Sequence, residues 1–255
     1  MYIQEISIEI KKKVDKELIV DEFEALMAYY RSNGQIQGKI QSQYFSDNKI
    51  TCLPFTIEID ALSNKYNNYY VNIQSEKVES LCNSKLCFKN VGKYYESYNG
   101  GCKCKKRDFF ILMTNYISIN SPIICGNCNK SVPLYKIPVI YDYGYMPILS
   151  WETNYISCDC LQMNCEVGER WGLNQMQDIN SQLTKQGIVI CDKIKEVTSI
   201  PTYYYLHNYK KYKRDQFKRT CPSCNNKWDL KKQLHNFYDF KCDKCRLIST
   251  ISTNS

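Results

Sequence analysis

The spacing of apolar residues at the start of the chain predicts a strand followed by a helix. Residues 5–10, EISIEI, alternate isoleucine with polar residues, which is the period-two pattern of a strand with one buried face. Asp15 is a suitable N-cap for a helix that Asn33 and Gly34 would end. The apolar face of this helix comprises Ile19, Phe23, Leu26 and Tyr30.

Further strands and a weaker helix are predicted before the first change in composition. Residues 55–60, FTIEID, alternate again, a helical pattern follows Ser63, and residues 86–91, LCFKNV, form a closing strand. The apolar positions of the weaker helix are Tyr66, Tyr70 and Ile73. We interpret the order as βαββαβ, which is typical of a ferredoxin-like α+β domain over residues 1–98. That fold hosts many functions and indicates none of them.

A run of glycines and charges, YNGGCKCKKRD at residues 98–108, indicates a domain boundary. We expect a middle domain over residues 99–200, with a strand within residues 108–119 and a helix that begins near residue 181. Gly187 lies inside this helix, where glycine costs about 1 kcal/mol relative to alanine. The apolar face of the helix comprises Leu183, Ile190, Ile194 and Val197. The stretch from 141 to 170 has a mixed pattern and receives no assignment.

Residues 201–255 are expected to form a strand, a basic segment and a zinc ribbon. The strand is TYYYLHNY at residues 202–209, and the ribbon contains two Cys-x-x-Cys pairs. The four cysteines, spaced C-x2-C-x17-C-x2-C, are Cys221, Cys224, Cys242 and Cys245. Two residues between thiolates let both sulfurs of a tight turn reach one ion, and the longer interval is the length of a β-hairpin. Four thiolates suit Zn²⁺ and leave no position for water, so we expect a structural site. A thioredoxin-like redox pair is the alternative, although no βαβ context accompanies it.

A second candidate zinc site has a tighter first pair. Its cysteines, spaced C-x-C-x20-C-x2-C, are Cys102, Cys104, Cys125 and Cys128. Both pairs flank a predicted strand, and CGNC contains the glycine that a metal-binding turn tends to need. The alternative is that these are buried or surface thiols without a metal.

A third group of cysteines, CDCLQMNC, is incomplete. Its members are Cys158, Cys160 and Cys165. Cys191 could supply a fourth ligand, but cysteines of this kind more often serve as small core residues, and we favour that role.

The net charge of +8 is concentrated at one end of the chain. Residues 201–255 carry twelve Lys or Arg against four Asp or Glu, whereas residues 1–200 carry 22 of each sign. No apolar run approaches the ~20 residues that span a bilayer, and Glu5 and Glu9 interrupt the stretch where a secretory signal would be apolar. We therefore expect a cytoplasmic protein without a membrane partner, and in a reducing cytosol fifteen cysteines favour metal over disulfides.

The basic segment YKKYKRDQFKR, residues 209–219, interleaves cations with aromatic rings. Cations neutralise phosphates, and rings stack on unpaired bases at roughly 1–3 kcal/mol per base. Because no recognition helix is apparent, RNA or single strands are favoured over duplex DNA. The predicted nucleic-acid-binding residues are Lys210, Lys211, Lys213, Arg214, Lys218, Arg219 and Tyr212. The ribbon would add Lys227, Lys231, Lys232, Arg246, Phe237 and Tyr238, with Trp228 and Phe240 in its core.

Other functions remain open at this point. A solvated charged face is one alternative, and a protein-binding module, such as an immunity protein that neutralises a toxin domain, would use the same basic surface. Enzymatic activity is not expected, because His207 and His235 lie in no metal-hydrolase motif and no phosphate loop or nucleophile elbow is present. Glu166 and Glu169, a pair of carboxylates, could act in acid–base catalysis, but helix capping and solvation explain them as well.

Five stretches carry a resemblance that runs nearly end to end. They are RSNGQIQG, CKC with SPIICGNCNKSVPLYKIP, LQMNCEVGER, SIPTYYYL, and CPSC with LHNFYDFKCDKCRL. With these stretches the chain resembles an uncharacterised bacterial family that is described as containing a zinc ribbon and as a candidate for nucleic-acid binding. The resemblance implies that both four-cysteine groups belong to the family pattern, as do Cys158 and Cys165, whereas Cys160 departs from it. The resemblance thus supports a fold and a bound metal but does not indicate a mechanism.

Overall fold

The structure is a computed structural model that describes residues 1–38, 42–95, 100–141, 144–208 and 220–251. It is a mixed α and β protein with two sheets, and the chain divides into two units. The first unit comprises Met1–Gly101, Ile119–Ser121 and Ser131–Tyr145, and the second comprises Cys102–Ser118, Pro122–Lys130 and Met146–Ser255. The three-domain division with boundaries after residues 98 and 200 stays a prediction. Within the described ranges, no helix is long and apolar enough to cross a membrane.

The first unit is a sheet built around its first strand, with two helices. Its elements are β1 (Tyr2–Glu9), α1 (Lys16–Ser32), β2 (Gln43–Ser46), β3 (Lys49–Cys52), β4 (Phe55–Thr56), α2 (Tyr69–Cys82) and β5 (Cys87–Lys93). Strand β1 pairs antiparallel with β3, β4 and β5, and β2 pairs antiparallel with β3. The core of the unit lies between the sheet and the helices, where Ile6 and Ile8 of β1 meet Phe23 of α1 and Val78 of α2.

Helix α1 forms as predicted. The side chain of Asp15 accepts a hydrogen bond from the backbone N–H of Glu17 at 3.0 Å, and Asn33 caps the other end. All four residues of the predicted apolar face are buried. Strands β1 and β5 also lie where the alternation and the closing pattern placed them.

Two predictions in the first unit were wrong in detail. Only Phe55 and Thr56 of the stretch FTIEID are in a strand, and the hairpin of β2 and β3 before it was not predicted. Helix α2 begins at Tyr69 because Asn68 accepts a hydrogen bond from the N–H of Val71 at 2.9 Å. Of the predicted apolar positions, Tyr66 lies before this helix, and Tyr70 and Ile73 face outward, with 54% and 45% of their surface exposed. The buried face comprises Val71, Gln74, Val78 and Cys82 instead.

The second unit combines a six-stranded sheet with three helices. Its elements are β6 (Phe110–Leu112), β7 (Ile123–Cys125), α3 (Met146–Asn164), α4 (Glu169–Gln177), α5 (Gln182–Thr198), β8 (Thr202–Tyr205), β9 (Asp229–Leu234), β10 (Tyr238–Cys242) and β11 (Leu247–Ser249). The strand order is β7-β6-β8-β11-β10-β9, with β8 parallel to both β6 and β11. Both cysteine groups therefore lie in a unit that shares one sheet.

Helix α5 was predicted correctly, β8 covers only Thr202–Tyr205 of the strand predicted over residues 202–209, and α3 and α4 were not predicted. Leu183, Ile190 and Ile194 of α5 are buried as expected. Helix α3 packs against both α4 and α5, so its buried residues do not follow a single narrow stripe. The strand expected within residues 108–119 is limited to Phe110–Leu112.

Candidate metal centres

The first candidate metal centre brings four thiols together at one edge of the six-stranded sheet. The sulfur atoms of Cys102, Cys104, Cys125 and Cys128 all lie within 4.8 Å of one another. Cys125 ends β7, and its carbonyl accepts a hydrogen bond from the N–H of Asn129 at 2.8 Å, which closes the CGNC turn. Two of the thiols are buried and two are half-buried, so a metal held here would be largely shielded from water.

Arg107 is the polar partner of this centre. Its Nε donates a hydrogen bond to the sulfur of Cys102 at 3.4 Å, and the backbone N–H of Cys104 donates another at 3.4 Å. Burial by itself raises the pKa of Cys102, but these donors, led by Arg107 and helped by the neighbouring thiols, lower that pKa to about 7. Because the thiolate is the form that binds metal, Cys102 is prepared for a cation, whereas burial raises the pKa of Cys125 and Cys128, from which a metal ion would have to displace protons. In the sequence, Arg107 is part of the charged run at residues 98–108, where no pattern indicates a role for it.

The glycine of the CGNC turn is required by an aromatic ring. A Cβ on Gly126 would lie 2.2 Å from Cε2 of Phe109, and the N–H of Gly126 donates to the carbonyl of Phe109 at 2.9 Å. The carbonyl of Gly126 accepts a hydrogen bond from Nε2 of His235 at 2.7 Å. Gly126 thus lets the turn pack against Phe109 and the ribbon hairpin. His235 belongs to neither cysteine group and holds the turn from outside.

The second candidate metal centre lies in the ribbon. The sulfur atoms of Cys221, Cys224, Cys242 and Cys245 are again within 4.8 Å of one another. The Sγ atoms of Cys224 and Cys242 are 3.7 Å apart, and four sulfurs about 2.3 Å from a tetrahedral Zn²⁺ would be separated by about 3.8 Å. The measured separation therefore fits a shared metal ion. As in the first centre, two thiols are buried and two are half-buried.

The thiols of the ribbon differ in their electrostatic environment. The backbone N–H of Asn226, with help from the other three thiols, lowers the pKa of Cys224 to about 7. Burial raises the pKa of Cys221, and it raises that of Cys242 to about 12. One thiolate is thus favoured in advance, and a metal ion would have to displace protons from the others, which makes binding dependent on pH.

The third group of cysteines does not assemble. In the part of the chain that the structure describes, only the two four-cysteine groups bring three or more potential ligand atoms together. Cys158 and Cys191 are buried, while Cys165 is exposed and donates to the carbonyl of Gln162 at 3.3 Å. The interpretation of Cys158 as a small core residue fits its position in α3.

The structure separates the cations of the ribbon into paired and unpaired sets. Lys231 and Lys232 on β9 and Lys244 are exposed and have no acidic partner among the described residues. Other cations are engaged within the protein: Lys227 pairs with Asp229 at 3.5 Å, Lys241 pairs with Asp243, and Arg246 pairs with Asp192. Lys241 also lies over the rings of Phe109 and Tyr203.

The aromatic residues of the ribbon are mostly in its core. Trp228 and Phe240 are buried and stack with ring centroids 5.0 Å apart, which confirms the prediction for both. The prediction that Tyr238 contributes to a contact surface was wrong, since it is 1% exposed and its hydroxyl donates to Asn129. Phe237 is 40% exposed. The seven residues predicted to bind nucleic acid, Lys210, Lys211, Tyr212, Lys213, Arg214, Lys218 and Arg219, lie outside the described residues.

Comparison with known proteins gives a family. An uncharacterized protein of Haemophilus influenzae is 31% identical to this chain over 239 residues, which is 90% of each sequence. The chain belongs to the family of that protein. A second uncharacterized protein of H. influenzae is 37% identical over 145 residues, covering 56% of this chain and 71% of the relative. No solved structure matches the chain.

Three adjoining sequence domains are matched along this chain. Models described as domains of unknown function match residues 1–92 (DUF8589), 104–207 (DUF2310) and 210–255 (DUF8594). The first cysteine group coincides with the start of the second match, except that Cys102 precedes it, and the ribbon lies within the third.

Proposed function

We propose that this family member is a binding protein without catalytic activity, in which two structural Zn²⁺ sites support a surface for RNA or other single strands. The observation that carries the proposal is the pair of closed four-thiol groups in one unit. Four sulfurs complete a tetrahedral shell and leave no open position, which is the arrangement of structural rather than catalytic zinc. Free thiols at all fifteen cysteines suit a reducing compartment, so we further propose a cytoplasmic location.

The nucleic-acid part of the proposal is supported by charge. The excess of cations lies in residues 201–255. Among them, Lys231 and Lys232 are unpaired and lie on β9, which is an edge strand of its sheet. Phe237, in the turn beside β9, stacks on Tyr205 and is partly exposed. Cations and an exposed ring on one ribbon suit a backbone and unpaired bases.

Binding of single-stranded RNA at several salt concentrations tests this proposal. Replacing Lys210, Lys211, Lys213 and Arg214 with alanine is expected to weaken binding and to flatten its salt dependence. The slope of log K against log salt should fall by about 0.7 for each phosphate contact that is lost. Replacing Lys11, Lys12 and Lys13 with alanine removes a cationic run from the first unit and is the matched control, with no expected effect.

Equal RNA binding by the basic-segment variant and the wild type would overturn the nucleic-acid proposal. Capture of an acidic protein that survives nuclease treatment, without RNA binding, would instead support a protein-binding module such as an immunity protein.

We also propose that the first unit is ferredoxin-like. Its support is the central position of β1, which pairs antiparallel with β3 after the first helix and with β5 after the second. An experimental structure of residues 1–95 in the intact protein tests this topology.

A further inference from the structure

A cavity of about 290 Å³ opens between α3, α4 and α5 in the second unit. None of its lining side chains carries a charge, and neither cysteine group contributes to it. Its lining comprises Asn154, Ser157, Cys158, Trp171, Gln175, Gln182, Leu183 and Gln186. Leu183 and Cys158 are buried at its base, so the cavity has an apolar floor and an amide-rich wall.

Trp171 stands at this cavity because two helices approach closely. A Cβ on Gly172 would lie 2.5 Å from the carbonyl oxygen of Cys158, so only glycine lets α4 pack this tightly against α3. The neighbouring Trp171 is 57% exposed, and its indole makes no hydrogen bond or ring contact with the described residues. The other two tryptophans, Trp151 and Trp228, are buried. An exposed and unpaired indole beside a cavity is the kind of apolar surface that marks a ligand site.

The carboxamides of the cavity wall are available to a ligand. Asn154, Gln182 and Gln186 make no side-chain hydrogen bond within the described ranges. The side chain of Gln175 is held in place because its Oε1 accepts a hydrogen bond from the N–H of Leu183 at 3.3 Å. Its NH₂ group remains available to donate to a ligand. Each carboxamide offers both a donor and an acceptor, so the wall can match a ligand edge on which donors and acceptors alternate.

These properties restrict the chemistry of the ligand. Without a charged group, the wall gives no preference to phosphates, carboxylates or cations. A volume of 290 Å³ lies at the lower limit of small-molecule pockets, which suits a group the size of one ring system. A flat neutral heterocycle with donors and acceptors on its edge would stack on the indole and pair with the carboxamides, as unpaired bases do in RNA recognition.

We propose that this cavity binds a single unpaired nucleobase, stacked on Trp171, with its edge bound by Gln182 and Gln186. This inference rests on the proposed function in one respect: the nucleobase would come from a nucleic-acid strand that the basic segment binds. The nucleobase itself is bound without its phosphate, so a free nucleoside is a sufficient probe.

Titration of the intact, zinc-loaded protein with adenosine, guanosine, cytidine and uridine tests the site. We expect at least one nucleoside to shift the indole N–H signal of Trp171 in ¹⁵N NMR spectra, while those of Trp151 and Trp228 stay in place. In calorimetry, Trp171→Ala should weaken binding about 5- to 150-fold, the range for loss of one stacking contact. Trp171→Phe should restore most of this loss, and Gln186→Leu should weaken binding and change the preference among the four bases.

Val189→Ala, an exposed apolar position on α5 outside the cavity lining, is the control and should bind normally. The proposal is overturned if millimolar nucleosides leave the Trp171 signal unchanged, if Trp171→Ala binds them as well as the wild type, or if a monosaccharide binds and nucleosides do not. The basic-segment variant should keep its nucleoside affinity. If RNA binding is absent while nucleosides still bind, the proposed function fails and the nucleobase site stands.

Discussion

At the scale of single residues, Gly187 shows how packing can reverse an intrinsic preference. It lies in the middle of α5, where alanine would ordinarily stabilise a helix by about 1 kcal/mol. A Cβ at this position, however, would lie 2.1 Å from Cε2 of Tyr204 and 2.9 Å from Nε1 of Trp151. Both neighbours are fully buried. The glycine therefore permits α5 to lie directly on β8.

We predict that Gly187→Ala lowers the free energy of unfolding by about 1–3 kcal/mol, because overpacking a closed core outweighs the gain in helix propensity. Urea denaturation of the zinc-loaded protein measures the change. Gly92→Ala is the control, since a Cβ on Gly92 meets nothing within 4 Å, and we expect little change there. If the Gly187→Ala protein were instead more stable, the ring of Tyr204 must be able to shift and make room for the Cβ.

The sequence predicted the cysteine ligands but not the residues that support them. The eight thiols are recognisable because ligands in a turn have fixed spacing along the chain. Arg107, by contrast, donates to Cys102 through a loop, and Gly126 is required by the ring of Phe109 on another segment. Such contacts depend on tertiary structure, which leaves no regular pattern in the sequence.

At the scale of elements, the hairpin of β9 and β10 connects the two candidate metal centres. Its turn places His235 and Asn236 at positive φ, the combination of a type I′ turn, and Nε2 of His235 donates to the carbonyl of Gly126 in the other centre. The hydroxyl of Tyr238, just after the turn, donates to Asn129 at 3.2 Å. The ribbon therefore holds the CGNC turn at Gly126 and the residue after the turn, Asn129, by one hydrogen bond each.

We predict that His235→Ala loosens the first centre and leaves the second intact. Zinc transfer to a chromophoric chelator should show a faster phase for one of the two ions, because the CGNC turn opens more often without its partner. His235→Gln retains a donor and should restore part of the slower rate. Lys232→Ala, on the exposed side of β9, is the control. Acceleration of both phases would contradict the assignment, since it would mean that the whole ribbon had been destabilised.

Elements with one buried face were predictable, and elements with several were not. Helix α1 buries one face, and the buried isoleucines of β1, Ile6 and Ile8, lie on one face, so both periods are clear in the sequence, although Ser7 on the other face of β1 is buried too. Helix α3 packs on more than one side and lacks such a stripe. Strand β2 was not predicted for the opposite reason. None of its residues is fully buried, so its sequence shows no alternation of apolar and polar residues.

At the scale of the whole molecule, both cysteine groups lie in one unit, while the other unit has its own core. The first unit surrounds a cluster of apolar residues that includes no candidate metal ligand. Metal should therefore matter for the second unit alone.

We predict two zinc ions per chain by elemental analysis and one after replacement of Cys221 and Cys242 with serine. Hydrogen exchange should accelerate in β9, β10 and β11 of this variant, while β1 and α1 keep their protection. Cys87→Ser, an exposed thiol of the first unit, is the control and should retain both ions. A value near one in the wild type would eliminate the first centre, and loss of protection in β1 would contradict the independence of the units.

The parallel pairing of β8 with β11 also has a consequence for biosynthesis. On the ribosome, β8 can join β6 as soon as it emerges, but its opposite edge has no neighbour until residues 247–249 have been translated. At about 5–20 residues per second this interval lasts for seconds, during which a tyrosine-rich edge is open to other nascent chains. Metal binding cannot shorten this interval, but once Cys245 has been translated it would speed the folding of the ribbon, and β11 would then cover the edge of β8 sooner.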